Sequence, residues 1–218
     1  MNLTHSIEFA EKEYRQLLEE FFIDKWGKNT LYSHDIDHHR RVWQYAKELL
    51  NYISSDVKND EPLFPQKLLI ACYLHDLGMS VDPEVRHGIH SRELCRLFLL
   101  KNSLAESDNG DVLDAVEHHD DKEYKTHGFN NNVILKILSV ADDLDAFGYI
   151  GIYRYLEIYI ARNIRPEVIG YEIRKNALKR FQNIEQNFEK FPELIEKHRK
   201  KFLILDDFFA GYNKEINS

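Results

Sequence analysis

Residues 66–78, QKLLIACYLHDLG, decide the fold, because they form the most apolar helical segment in the sequence. An apolar run of this kind followed by a glycine predicts a buried helix that stops at Gly78. His75 and Asp76 lie at the end of that helix. A buried carboxylate without a partner is costly, so we expect Asp76 to be paired or bound to a metal ion.

On both sides of this segment, apolar residues recur at steps of three and four, which predicts helices almost everywhere and no long strand. The predicted helices are residues 7–26, about 36–54, 66–77, 84–101, 112–119, 133–145 and 149–162, with two more between residues 166 and 217. The fold class is therefore predicted to be all-α.

The 218 residues contain no repeat and no linker, so we expect a single compact helical domain over residues 1–218. Its motif-bearing core covers about residues 30–162, and a C-terminal helical extension covers about residues 163–218. The polar loop 120–132 is long for a helical bundle, and long loops are often functional. The long C-terminal helices could cover the core or form the face of a homodimer.

Charge and cysteine content narrow the possible partners and the compartment. With 29 Lys and Arg against 37 Asp and Glu, the chain lacks the basic surface that duplex nucleic acid or an anionic membrane requires. A nucleotide is still possible as a substrate, because a bound metal can supply local positive charge. Cys72 and Cys95 lie in apolar helical stretches and are expected to be buried, reduced thiols. The N-terminus resembles no signal peptide and the apolar runs are short, so we expect a cytoplasmic protein.

The 11 histidines are concentrated in clusters rather than scattered. The clusters are His34, His38 and His39; His75 beside Asp76; His87 and His90; and His118 with His119. A further element, ADDLD at residues 141–145, supplies carboxylates after another apolar helix. Imidazole and carboxylate together are the ligands of manganese, iron, cobalt, nickel and zinc, whereas Mg²⁺ alone would prefer oxygen donors.

The order of these elements resembles the HD superfamily of metal-dependent phosphohydrolases, in particular its small stand-alone bacterial members. The resemblance rests on HDIDHHRRVW at residues 34–43, the doublet His75-Asp76 in ACYLHDLG, and SVADDLDAFG at residues 139–148. It spans roughly Asp35 to Arg162. Four elements in order at helical spacing are far more specific than a lone His-Asp doublet.

The resemblance implies a divalent transition metal held by His38, His75, Asp76 and Asp142, with His75, Asp76 and Asp142 as the catalytic residues. A metal-bound hydroxide would then attack phosphorus. A second ion, for which Mg²⁺ is one option, would use ligands that some families add after the doublet. The candidate second-metal ligands are His87, His118 and His119, with His90 competing for the role of His87.

The sequence also departs from the family. Met79 stands where many members carry Lys or Glu, and Asp143 stands where many close relatives carry Arg. The candidates that remain near the motifs for contacting substrate phosphate are Arg41, Arg86, Arg92, Lys122 and Lys125, with Arg154 as a further one; of these, Arg41, Lys122 and Arg154 are the predicted substrate-binding residues.

The resulting prediction is an enzyme that hydrolyses a phosphoester or phosphoanhydride of a nucleotide or a similar small phosphorylated metabolite. Two alternatives stay open. If the longer ligand set holds two irons, the protein would be an HD-type oxygenase that acts on a small metabolite. If it turns over no phosphoester when loaded with metal, it would be a non-catalytic regulatory module on the same scaffold.

Overall fold

The computed structural model describes residues 2–53, 63–82, 87–121 and 132–218, and within these residues it contains nine α-helices and no strand. The helices are α1 (Leu3–Trp26), α2 (Ile36–Ile53), α3 (Phe64–Leu74), α4 (His87–Lys101), α5 (Gly110–His118), α6 (Val133–Asp145), α7 (Gly148–Ala161), α8 (Pro166–Asn187) and α9 (Pro192–Ile216). The predicted all-α fold is confirmed. No helix in this described part of the chain combines the length and hydropathy that crossing a bilayer requires.

The central helix α3 differs from its predicted bounds at both ends. It begins at Phe64, with Pro65 in its first turn, where the missing amide hydrogen of proline has no cost. It ends at Leu74, because Asp76 leaves helical geometry with φ −101° and ψ 4°. A short 3₁₀ helix, Leu77–Ser80, follows. The His75-Asp76 doublet therefore lies in a turn and not inside the helix.

The structure contains two compact units. The first consists of Met1–Thr30 and His34–Ala141. Within it, α3 contacts α1, α2, α4 and α5, and every residue from Leu68 to Leu74 is fully buried. A helix that is apolar all round is stable only when it is covered on all sides, which explains the central position of α3. Cys72 and Cys95 are both buried and unbridged.

The second unit consists of Leu31–Ser33 and Asp142–Ser218. Here α9 packs against α7 and α8, and the rings of Phe181 and Phe202 stack with their centroids 4.8 Å apart. Gly170 lets α8 approach α9 closely, since a Cβ there would overlap the side-chain oxygen of Asn213. The two predicted C-terminal helices are thus present. The single domain over residues 1–218 stays a prediction.

Candidate metal centre

Gly78 brings the His75-Asp76 turn against the start of α4. A Cβ at Gly78 would overlap the carbonyl oxygen of His87 and the backbone nitrogen of Ser91. With no side chain in the way, the Gly78 amide donates a hydrogen bond to Ser91 Oγ at 2.8 Å. His87, the first residue of α4, therefore lies beside the doublet.

A first set of three ligand atoms consists of the Nε2 atoms of His38 and His75 and Oδ2 of Asp76, which we call the His38 triad. The two Nε2 atoms are 3.2 Å apart, and each lies 3.4 Å from Asp76 Oδ2. All three residues are buried. Donors about 2.1 Å from one ion at tetrahedral or octahedral angles are about 3.0–3.4 Å apart, so the spacing fits a shared metal ion.

A second set, the His87 triad, uses the other oxygen of Asp76. Asp76 Oδ1 lies 2.8 Å from Nε2 of His119 and 3.3 Å from Nε2 of His87. Both histidines are buried. The two triads therefore meet at a single carboxylate, with one oxygen directed to each.

Backbone carbonyls fix which ring nitrogens can bind a metal. Nδ1 of His75 is 3.0 Å from the carbonyl oxygen of Cys72, and Nδ1 of His119 is 2.8 Å from that of Val116. A carbonyl only accepts, so Nδ1 of each ring donates, and in the neutral ring Nε2 is left as a lone-pair donor. In the neutral ring, His119 Nε2 presents a lone pair to a carboxylate oxygen at 2.8 Å, and a proton or a metal ion between the two atoms would satisfy both.

The charge state of the centre follows from its burial. Burial raises the pKa of Asp76, but the charge of His75 and the hydrogen bonds of His119 and His38 outweigh it, so the pKa lies well below the usual value. Burial lowers the pKa of His119, although Asp76 opposes this. Burial lowers the pKa of His39 well below its usual value, and His75 and His38 add to this. The centre thus presents an ionised carboxylate surrounded by imidazoles, the donor set that divalent transition metals prefer.

The structure distinguishes the candidate second-metal ligands on α4 and α5 that lie beside Asp76 from those that do not. His118 is not part of either triad: its Nδ1 lies 3.2 Å from Oδ1 of Asp114 on its own helix, and its side chain is 34% exposed. His87 is buried beside Asp76, whereas His90 is half-buried one turn further along α4.

Two residues near the triads had no metal role in the sequence-based prediction. His34 Nε2 lies 4.0 Å from Asp76 Oδ2, and Oδ2 of Asp120 lies 3.7 Å from His87 Nε2. Asp120 directly follows the His118-His119 pair, which was the available signal. Its side chain is 40% exposed, so it forms the solvent-facing rim of the His87 triad.

Asp142 belongs to the second unit, where two arginines compensate its buried carboxylate. Arg154 donates to its Oδ1 at 3.4 Å, and Arg180 donates to its Oδ2 at 3.1 Å. Arg154 also binds Asp145 at 3.2 Å. Sequence reasoning missed Arg180, because nothing in a local pattern connects α8 with the end of α6.

The three predicted substrate-binding residues lie in different surroundings or outside the described residues. Arg41 is half-buried on α2, and Arg154 is buried with its aspartate partners. Lys122 lies outside the described residues. The roles of all three in substrate binding stay predictions.

Known proteins resemble this chain in sequence family and in fold. Residues 35–146, about half of the chain, match the family model of the HD domain. A crystal structure of a structural-genomics target from Lactobacillus plantarum shares the fold, with a TM-score of 0.64 and 17% identity over 100% of this chain and 99% of that one. A predicted HD superfamily hydrolase from an uncultured Thermotogales bacterium has a TM-score of 0.51 and 26% identity, over 88% of this chain and 98% of that one. None of the curated proteins matches.

Three observations identify the family: the order of the histidines and aspartates, their burial around one carboxylate, and the matching family model. The chain belongs to the HD domain family.

Proposed function

We propose that the chain is a metal-dependent phosphohydrolase that cleaves a phosphoester or phosphoanhydride of a nucleotide or a similar small phosphorylated metabolite. The HD superfamily fold and the His/Asp cluster support a hydrolase. The proposed ligands are His38, His75, Asp76 and Asp142. The assignment of Asp142 rests on its place in the sequence motif.

The observation that carries the proposal is the arrangement around Asp76. Four imidazole Nε2 atoms lie within 3.4 Å of its two carboxylate oxygens, and all five residues are buried. Structural polar residues in a core are normally satisfied by donor–acceptor pairs. Here the Nδ1 atoms of His75 and His119 donate to backbone carbonyls, so Nε2 of each neutral ring presents a lone pair to the Asp76 carboxylate, an arrangement that a bound metal ion would satisfy. The His87 triad supports a second ion.

When bound, a divalent ion would lower the pKa of water and polarise a phosphoryl oxygen. The protein residues have separate tasks. Asp76 joins the two triads, and the carbonyls of Cys72 and Val116 hold the rings of His75 and His119 with Nε2 facing inward. Asp120 at the exposed rim is placed to accept a proton from water or substrate.

Three further parts of the proposal concern the residues that bind substrate, the identity of the ion, and the location and partners of the protein. Arg41, Lys122 and Arg154 are proposed to contact the phosphate of the substrate. The ion is proposed to be manganese, iron, cobalt, nickel or zinc, with Mg²⁺ an option at the second position. We also propose a cytoplasmic location, no membrane or duplex nucleic acid partner, and a homodimer.

Metal content is the direct test. The purified protein is stripped with a chelator, reloaded with each ion in turn, and analysed for bound metal per chain. We expect wild type to bind metal and Asp76→Ala to bind none. His87→Ala should lose one equivalent, while the matched control His90→Ala on the same helix should retain both. Failure of wild type to bind any ion would overturn the proposal.

A phosphate-release panel on nucleotides then tests the reaction itself, with Asp76→Ala as the inactive control. Two irons per chain with oxygen consumption would favour the oxygenase alternative. Full metal loading with no turnover of any phosphoester would favour the regulatory module.

A further inference from the structure

A buried network of charges surrounds the C-terminal end of α6 in the second unit. Asp142, Asp143 and Asp145 are each at most 4% exposed, and Arg154 is 5% exposed. The side chain of Arg180, which comes from α8, is 12% exposed. Three carboxylates and two guanidinium groups thus share one enclosed region.

Arg180 is the residue that binds two neighbouring carboxylates at once. Its Nη1 donates to Asp143 Oδ1 at 2.8 Å and to Asp142 Oδ2 at 3.1 Å. Its Nε donates to Asn176 Oδ1 at 3.3 Å, one turn earlier on α8. The guanidinium is therefore oriented from its own helix before it reaches the aspartates.

Asp143 is held from α8 on both of its oxygens. Asn183, one turn after Arg180, donates from Nδ2 to Asp143 Oδ2 at 2.9 Å. Asp143 thereby accepts from Arg180 and Asn183 together. This second anchor fixes the guanidinium in the position from which it also reaches Asp142.

Removal of Arg180 would take away one of the two guanidinium groups that donate to Asp142 in this network. The contact of Arg154 with Asp142 is the longer one, at 3.4 Å, and Arg154 is shared with Asp145. Adjacent buried carboxylates that lose a counter-charge repel each other and turn away from one another toward water. The orientation of the Asp142 carboxylate therefore depends on α8.

We propose that Arg180 is a positioning residue that holds the Asp142 carboxylate in its metal-binding orientation, with Asp143 and Asn183 as its anchors. The inference rests on the proposed function, in which Asp142 is a ligand. It gives α8, which lies beyond the residues that match the family model, a role in orienting an aspartate of the sequence motif.

The test compares Arg180→Gln with Arg174→Gln. Arg174 is a matched control, since it lies on the same helix and forms a bidentate ion pair with Asp206 at 2.7 and 3.0 Å, outside this network. The dissociation constant for Co²⁺ is measured by competition with a chromophoric chelator, and the visible absorption of bound Co²⁺ reports its ligand geometry. Thermal melting of the apo proteins gives the stability of each variant.

We expect Arg180→Gln to weaken Co²⁺ binding by about tenfold to a hundredfold and to change the visible spectrum. Arg174→Gln should leave both unchanged. Arg180→Lys keeps a cation at the site and should recover part of the affinity. Asn183→Ala removes only a neutral donor and should weaken binding by a smaller factor, which keeps the test possible if Arg180→Gln does not fold.

Wild-type affinity and spectrum in folded Arg180→Gln, even with a lower melting temperature, would overturn the inference and leave the proposed function intact. Unchanged affinity in Asp142→Asn, with binding lost in Asp76→Ala, would overturn it by removing Asp142 from the ligands. Absence of Co²⁺ binding to wild type would instead overturn the proposed function.

Discussion

Glu19 on α1 offers a direct measurement of how strongly a charge network stabilises the first unit. Its carboxylate accepts hydrogen bonds from Arg40 at 3.0 and 2.6 Å, from Arg15 at 3.1 Å and from the Tyr73 hydroxyl at 3.1 Å. The hydrogen bonds from Arg40 are the largest influence, and against the opposing effect of burial they lower the pKa of Glu19 from 4.5 to about 2. Glu19→Gln removes the charge and keeps the shape.

The sign of the pH dependence follows from that lowered pKa. The unfolded chain binds the proton more tightly than the folded protein does, so the stabilisation is complete above pH 4.5 and is lost as the pH falls toward about 2. A lowering of this size corresponds to at most about 3 kcal/mol. Arg40 is 38% exposed, and solvent screening reduces the expected contribution to about 1–2 kcal/mol.

Urea denaturation of the metal-free protein at pH 6 and pH 3 measures this contribution. We expect Glu19→Gln to be less stable than wild type by about 1–2 kcal/mol at pH 6, and the difference to shrink by more than half at pH 3. Glu20→Gln, an exposed neighbour on the same helix, should differ little from wild type at either pH. A stability difference between wild type and Glu19→Gln that stays constant with pH would refute the electrostatic reasoning.

Three further predictions test the site and the core. His119→Ala should lose one bound metal equivalent per chain by elemental analysis, whereas His118→Ala should lose none; equal losses would contradict the geometry. Gly78→Ala should lower the free energy of unfolding in urea by about 1–3 kcal/mol, because the added methyl group overlaps the backbone of α4; wild-type stability would contradict this. Burial raises the pKa of the Cys95 thiol to about 12 and that of Cys72 further, so neither should react with a thiol reagent before the protein is unfolded.

Much of the fold and part of the site could be predicted because they depend on local sequence. The helix α6 has its predicted bounds of residues 133–145. The polar His75-Asp76 doublet at the end of an apolar run was enough to identify both residues as candidate metal ligands. The choice of His119 over His118 was also available, since Ala115 and Val116 are buried on α5 and His119 continues their face at steps of four and three.

Other features depend on contacts that no local pattern contains. His87 and His90 are three residues apart on one helix face, so periodicity could not separate them. Packing decides between them: a Cβ at Gly88 would overlap the carbonyl oxygen of Glu117, which shows how closely the start of α4 approaches α5. Arg180 is a stronger case, because its ion pairs join residues 37 and 38 positions apart in the sequence.

The two oxygens of Asp76 face different triads. This arrangement has a consequence for the combined effect of several substitutions at the centre. Changes at His38 and at His87 act on different oxygens, so each half of the centre can be lost without the other during divergence of related chains. A change that removes the Asp76 carboxylate is expected to affect both triads in one step and to mask the effect of later changes around it. In genetic terms, Asp76 is expected to be epistatic to both triads.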